Sequence, residues 1–299
     1  LNNTKAYIGS VTSEKVKTSW VSEYLILTKV RLSLVVVVSS VLGYIIVANG
    51  SGNVVDILKL TIGGFLVTGA ANALNQVLEK DFDILMTRTA NRPVATGRMK
   101  SSEAVMFAGL SCLVGITILA TFNPVTALLG MLSLIIYAFV YTPLKRYSTL
   151  AVAVGAIPGA LPVMIGATAF EGNITLLAVC LFIIQFLWQF PHFWSIGFLG
   201  YDDYQKAGYK LLPETDGRID RNLGISSVFY AALVLPVVTF MFIRLDVSIW
   251  SSALAILLSL GYMYLGYKLH LDFDRAAARR LMFYSFFYLP LVLISYWIL

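Results

Sequence analysis

Charge is scarce in this 299-residue chain. Only 13% of its residues are Asp, Glu, Lys or Arg, against roughly 25% in soluble globular proteins. That shortage excludes an ordinary soluble domain, and no stretch has the composition of a separate one. Cysteine is scarce too. Cys112 and Cys180 are the only two, both within apolar runs and too isolated for a metal pair, so they read as small core residues rather than as a disulfide framework. Runs of alternating polar and apolar residues are missing, which excludes a β-barrel. The first twenty residues hold Lys5, Lys15 and Lys17 but no apolar core. They do not read as a signal peptide, so the first span is expected to act as its own insertion signal.

What the chain has instead is apolar length. It is 58% hydrophobic, in runs of about 20 residues, each long enough to cross a bilayer as a helix. The expected fold is all-α and polytopic: a cytoplasmic tail at 1–20, then one transmembrane domain at 21–299. Nine spans are expected, at about 24–47, 56–78, 102–122, 125–141, 150–170, 174–199, 223–243, 247–269 and 281–299. Pro158 and Pro162 predict a kink in the fifth. The net charge is +6, but the bases sit in short loops. There they orient a membrane protein rather than bind nucleic acid. Of the 22 Lys and Arg residues, all except Lys59 and Arg244 fall on the side of the N-terminus and the loops after spans 2, 4, 6 and 8. The excess predicts that this face, N-terminus included, is cytoplasmic.

One stretch carries chemistry. Asn75, Glu79 and Asp83 recur at i, i+4 and i+8. At about 100° per helical residue each step drifts by only about 40°, so all three project from one face. Three oxygen-bearing side chains suit a hard cation such as Mg²⁺. Arg88, Arg92, Arg98 and Lys100 follow and suit an anion rich in oxygens. A metal beside guanidinium groups at a membrane edge reads as a diphosphate site. The competing reading is a charged interfacial loop that anchors a helix end.

A second constellation repeats the pattern: Trp188-Gln189-Phe190-Pro191-His192-Phe193-Trp194, then Asp202, Asp203 and Lys206. Asp203 is the candidate for a second acidic wall. Asp202 reads as a solvated loop residue. His192 lies among aromatics within a span, where a polar side chain is costly. It is either a hydrogen-bonded core residue, a haem ligand or a proton carrier. Trp188, Phe193 and Trp194 belong to the interfacial aromatics or line an apolar channel, where ring faces stabilise a passing cation.

These residues resemble a known family. Asn75-xxx-Glu79-xxx-Asp83, then Arg88-Thr89 and Asn91-Arg92-Pro93, is similar to the first aspartate-rich motif of the UbiA superfamily of intramembrane prenyltransferases. Together with Tyr141-Thr142-Pro143-Leu144-Lys145-Arg146, Trp188–His192-Phe193 and Asp203-Tyr204-Gln205-Lys206-Ala207-Gly208, it resembles the branch that farnesylates haem. The likeness runs from span 1 to span 9. The sequence departs from the superfamily in having Glu at 79, and Leu199 and Ala207 where a second Asp-xxx-Asp motif would need carboxylates.

The resemblance implies a UbiA-like helical bundle with a cytoplasmic loop cap. It also implies the reaction of haem B, farnesyl diphosphate and water to haem O and diphosphate, with Mg²⁺ as cofactor. It assigns Asn75, Glu79 and Asp83 to metal and catalysis, with Asp203 and His192 also catalytic. Arg88, Arg92, Lys145, Arg146 and Lys206 would meet the diphosphate, and Tyr141, Trp188, Gln189 and Phe193 the prenyl chain or haem. Implied partners are the lipid bilayer and a downstream haem A synthase, in a bacterial-type plasma membrane with the site facing the cytoplasm. Rival readings are a prenyltransferase for a phenol, quinone precursor or lipid, a membrane transporter, and a structural membrane subunit.

Overall fold

The computed structural model describes residues 19–299. The expected tail therefore lies almost wholly outside the described residues. Its last member, Trp20, already opens a helix. Apart from its connecting loops, the longest at 84–100, and one hairpin of two-residue strands, the described chain is helical. A short α1 (Trp20–Leu27) leads to α2 (Val30–Ala48), α3 (Val54–Asp83), α4 (Ser101–Ala120), α5 (Pro124–Leu144), α6 (Ala151–Glu171) and α7 (Leu176–Leu199). Then come the short α8 (Tyr201–Lys206), α9 (Leu223–Arg244), α10 (Ile249–Asp272) and α11 (Arg275–Ile298). Among the described residues, nine of these helices are long and apolar enough to cross a membrane.

Local chemistry sets the helix starts. Asn53, Asn123, Thr175, Ser248 and Asp274 each accept a main-chain N–H of the first turn of α3, α5, α7, α10 and α11, which removes an orphan donor at each N-terminus. Pro124 follows its cap directly, where its missing N–H costs nothing. Lipid explains the outer surface: Val35, Leu113, Leu128, Leu257 and Phe287 are each at least 65% exposed, a belt that water would not tolerate.

Two apolar cores lie side by side. One joins α1 to α6, with Leu27, Leu60, Leu119, Leu134 and Ile165 among its members. The other is built mainly from α7 and α9 to α11, around Leu181, Ile184, Met241, Tyr262 and Tyr288. α6 contributes to both and is the most buried span. Its small residues make that position accessible. A Cβ on Gly166 would land on the Ser40 carbonyl of α2, and one on Gly43 of α2 would land on the Val163 carbonyl of α6. The two backbones approach reciprocally at glycine, as small residues allow in lipid.

The loops after α3 and α7 cap one end of the bundle. Met86, Ala207 and Tyr209 form a small apolar cluster with Phe82, Tyr204 and Leu211. Thr87 Oγ1 donates to Asp203 at 3.1 Å, and the Lys210 N–H donates to the Lys145 carbonyl at 2.7 Å. The hairpin, β1 (Glu214–Thr215) and β2 (Arg218–Ile219), turns at Asp216 and Gly217, both at positive φ, as a tight hairpin turn requires.

Three expectations need correction. The first span is not continuous from 24: the chain breaks at Lys29, which takes a left-handed φ of 48°. The helix that delivers the acidic row does not stop at 78 but runs to Asp83, because its carboxylates find partners inside the protein. The loop at 200–222 contains a helix and a hairpin.

Candidate active site

The break between α1 and α2 and the polar row of α3 are one construction. Breaking a helix frees carbonyls that lipid cannot satisfy. Gln76 donates to the carbonyls of Ile26 and Leu27 at 3.0 and 3.1 Å. Asn72 donates to the Thr28 carbonyl at 3.3 Å and to Ser33 Oγ at 3.1 Å. One side of α3 thus stabilises the break. Asn75, Glu79 and Asp83 face a cavity instead, and the break places Lys29 in its wall.

The cavity holds about 250 Å³ beneath the cap. Four basic side chains line it, Lys29, Arg88, Arg92 and Lys145, against two acidic ones, Glu79 and Asp83. Lys29 Nζ donates to Asn75 Oδ1 at 3.0 Å. Asn75 Nδ2 donates to Glu79 Oε2 at 2.8 Å and to Thr142 Oγ1 at 3.1 Å. The other Glu79 oxygen pairs with Lys145. One Arg92 nitrogen donates to both Asp83 oxygens, at 2.7 and 2.8 Å, and lies 4.0 Å from Glu79. Lys145 also sits over the rings of Tyr141 and Tyr209, 4.8 and 5.3 Å from their centroids. Burial, with the Glu79 carboxylate nearby, raises the Tyr209 phenol above its usual value and keeps it protonated. The rest of the lining is largely apolar and aromatic, with Leu32, Val152, Tyr137, Phe193, Ile196 and His192 among its members.

Of the residues singled out in the sequence, the structure brings Asn75, Glu79, Asp83, Arg88, Arg92, Tyr141, Lys145, His192 and Phe193 to this cavity. It places the others elsewhere. Asp203 hydrogen-bonds Lys206 at 3.1 Å and accepts from Thr87, and the bond from Lys206 holds its carboxyl below the usual carboxylate value. Neither Asp203 nor Lys206 lines the cavity. Arg146 turns to the side and lies 4.4 Å from the Phe82 ring centroid. Gln189 donates to the Ala156 carbonyl at 2.9 Å and clamps α7 to α6. Trp188 donates to the Ser285 carbonyl of α11 at 2.8 Å and stands behind His192. Arg98 is drawn away to Glu23 at 2.8 Å.

Lys29, Tyr137 and Tyr209 are cavity residues that sequence reasoning missed. In the sequence Lys29 is only one of the bases on the N-terminal face. The signal that would have exposed it is Asn72 and Gln76 on the α3 row, two buried side chains in search of freed carbonyls.

The donor chemistry fits Mg²⁺. Glu79, Asp83 and the Asn75 amide oxygen are all hard oxygen donors. Among the described residues no three His, Cys, Asp or Glu side chains form a metal cage. A site of two carboxylates nevertheless suits Mg²⁺, which commonly takes its remaining ligands from substrate phosphates and water.

A helical membrane bundle with a capped, cation-rich cavity at one end is the architecture of an intramembrane prenyltransferase. Residues 36–288 match the UbiA prenyltransferase family, and the chain belongs to it. A protoheme IX farnesyltransferase of Christiangramia forsetii is 40% identical over 282 residues, 93% of each chain. The fold is shared with a digeranylgeranylglyceryl phosphate synthase (TM-score 0.78, 18% identity, 93% of this chain and 97% of that one). It is shared also with a UbiA homolog from Archaeoglobus fulgidus bound to DMAPP and Mg2+ (TM-score 0.69, 16% identity, 93% and 100%).

Proposed function

We propose that this chain transfers the farnesyl group of farnesyl diphosphate to the 2-vinyl group of haem B, with addition of water, giving haem O and diphosphate. The observation that carries the proposal is the 40% identity, over 93% of both chains, with a protoheme IX farnesyltransferase. Residues 21–299 act as one catalytic domain of a bacterial-type plasma membrane, with the cap in the cytoplasm, where the basic loops would face. A downstream haem A synthase would consume the product.

Glu79 and Asp83, with the Asn75 amide, are the residues that would hold Mg²⁺. When bound, the metal would neutralise the diphosphate as its charge develops on leaving. The cations do the rest. In the free protein Arg92 and Lys145 are occupied by Asp83 and Glu79. A diphosphate entering with its metal offers new partners to both sets, so Arg92, Lys145, Lys29 and Arg88 turn to the phosphate oxygens. These contacts strengthen as the C–O bond breaks and negative charge accumulates. The rings of Tyr137, Tyr141 and Phe193 flank the allylic cation, and ring faces favour positive charge. The apolar wall keeps water out until the terminal vinyl carbon has attacked. Water then captures the cation beside the pyrrole ring and releases a proton.

The test uses the purified chain in detergent with haem B, farnesyl diphosphate and Mg²⁺, with and without EDTA. Mass analysis of the haem should show a metal-dependent gain of farnesyl plus water. Diphosphate release with unmodified haem would sink the acceptor assignment and redirect the search to phenols, quinone precursors or lipids.

A further inference from the structure

His192 is held by a turn of the opposite helix. Ser285 of α11 accepts the Trp188 indole N–H on its carbonyl at 2.8 Å and meets His192 Nδ1 with its hydroxyl at 2.7 Å. A serine hydroxyl has one hydrogen to give, and Ser285 Oγ gives it to the Met282 carbonyl at 2.5 Å. Towards His192 it can then only accept. Nδ1 therefore carries the proton of the neutral ring, and the lone pair is on Nε2. Among the described residues Nε2 has no hydrogen-bond partner, and His192 lines the cavity. The ring is fixed on its other sides: Trp188 stacks on it at 4.6 Å and 18°, and Phe286 meets it edge-on at 5.3 Å and 68°.

A histidine that donates from one nitrogen to a protein oxygen and keeps the other without a protein partner, in the wall of an open site, is arranged as metal ligands usually are. What metal it suits follows from its surroundings. Glu79 and Asp83 belong to the charged part of the lining assigned above to Mg²⁺ and diphosphate, and no cluster of three ligating side chains that would include His192 exists among the described residues. A lone imidazole suits a metal that arrives with its in-plane ligands already supplied. A metalloporphyrin is such a species, and it keeps an axial position open to histidine. Leu32, Val152, Phe193 and Ile196 offer the apolar wall a macrocycle needs.

We infer that His192 binds the iron of the haem substrate axially through Nε2, with Ser285 and Trp188 as positioning residues. The inference rests on the haem-farnesylating reading above and assigns its acceptor subsite. The Nε2 lone pair displaces the axial water of free haem, so no proton or electron changes hands. Ligation by the α7 wall would hold the macrocycle across the cavity from the Glu79 and Asp83 wall.

The test is absorption titration of the full chain in detergent with ferric haem B, without prenyl donor. The unaltered protein should show an imidazole-ligated Soret band. His192→Gly should lose that band and bind haem more weakly, and added imidazole should restore it. Metal-free protoporphyrin IX, which has no iron to ligate, should bind both proteins alike. That equality also controls for folding. Ser285→Ala should keep the band shape but weaken haem binding by about tenfold, the usual scale for the partner of a ligating histidine. An unchanged band in His192→Gly would overturn the inference. So would equal losses of haem and metal-free porphyrin, which would make His192 part of the wall only. Ligation without any farnesyl transfer would sink the proposed reaction and leave this inference standing. Normal farnesylation by His192→Gly with an unchanged band would do the reverse.

Discussion

The ends of α3 and α7 look alike on paper. Each spans the membrane, finishes among carboxylates and is followed by basic residues. In the structure they differ. At α3 the helix continues through Asn75, Glu79 and Asp83 without interruption, and all three are buried and face the cavity. At α7 the helix stops at Leu199, Gly200 intervenes, and Asp203 rides on the separate short helix α8. Asp203 then bonds Thr87 and Lys206 and joins cap to cap. What α7 sends into the cavity is its aromatic and histidine face. The two ends are therefore not two halves of one acidic cage. One part of the lining carries the charged groups, and the part supplied by α7 is apolar and aromatic around His192, where the inference above puts the acceptor.

Substitutions can break that contrast. The largest effect is expected for Asp83→Asn, which removes a carboxylate from the proposed Mg²⁺ ligands and the partner of Arg92. Turnover should fall by about 10²–10³, the scale of losing a group that stabilises transition-state charge, while gel filtration still shows folded protein. Normal Mg²⁺-dependent diphosphate release by this variant would defeat the diphosphate-site argument. Next is Lys29→Met. A charge-assisted hydrogen bond to a phosphate oxygen is worth about 1.5–3 kcal/mol, so KM for the prenyl diphosphate should rise roughly tenfold or more while KM for haem stays level. An effect on haem alone would move Lys29 to the other wall.

Trp188→Phe keeps an aromatic ring beside His192 but removes the indole N–H bond to Ser285. One neutral hydrogen bond is worth about 1 kcal/mol, so haem affinity should drop about fivefold and diphosphate release should be untouched. The smallest effect is expected for Asp203→Asn. Contacts of this exposed kind contribute little, so kcat/KM should change by less than about threefold. A loss as large as that of Asp83→Asn would restore Asp203 to the catalytic set and erase the difference between the two helix ends.

Much of this was legible in the letters. Nine spans follow from apolar length, since a bilayer core admits few alternatives to a helix of about 20 residues. The i, i+4, i+8 row follows from helical geometry alone, which is why Asn75, Glu79 and Asp83 could be grouped before any coordinates. Gln189, Arg146 and Lys206 were grouped on motif likeness, and Trp188 and Asp203 first on a local pattern, and neither gives the direction of a side chain. Gln189 sits three residues from His192, close to one full turn, yet it points into α6.

The sequence by itself therefore determined the membrane class, the helix count, the acidic row and the family. Each depends on spacing or composition along one chain segment. Tertiary structure alone decided that Lys29 enters the cavity, since this takes a left-handed break whose freed carbonyls are met by Asn72 and Gln76 some 40 to 50 residues away. It alone decided that Arg92 and Lys145 rest on carboxylates, and that Ser285 of the last helix meets Nδ1 of His192. Those are contacts between distant segments, and no local pattern encodes where a side chain's partner will be found.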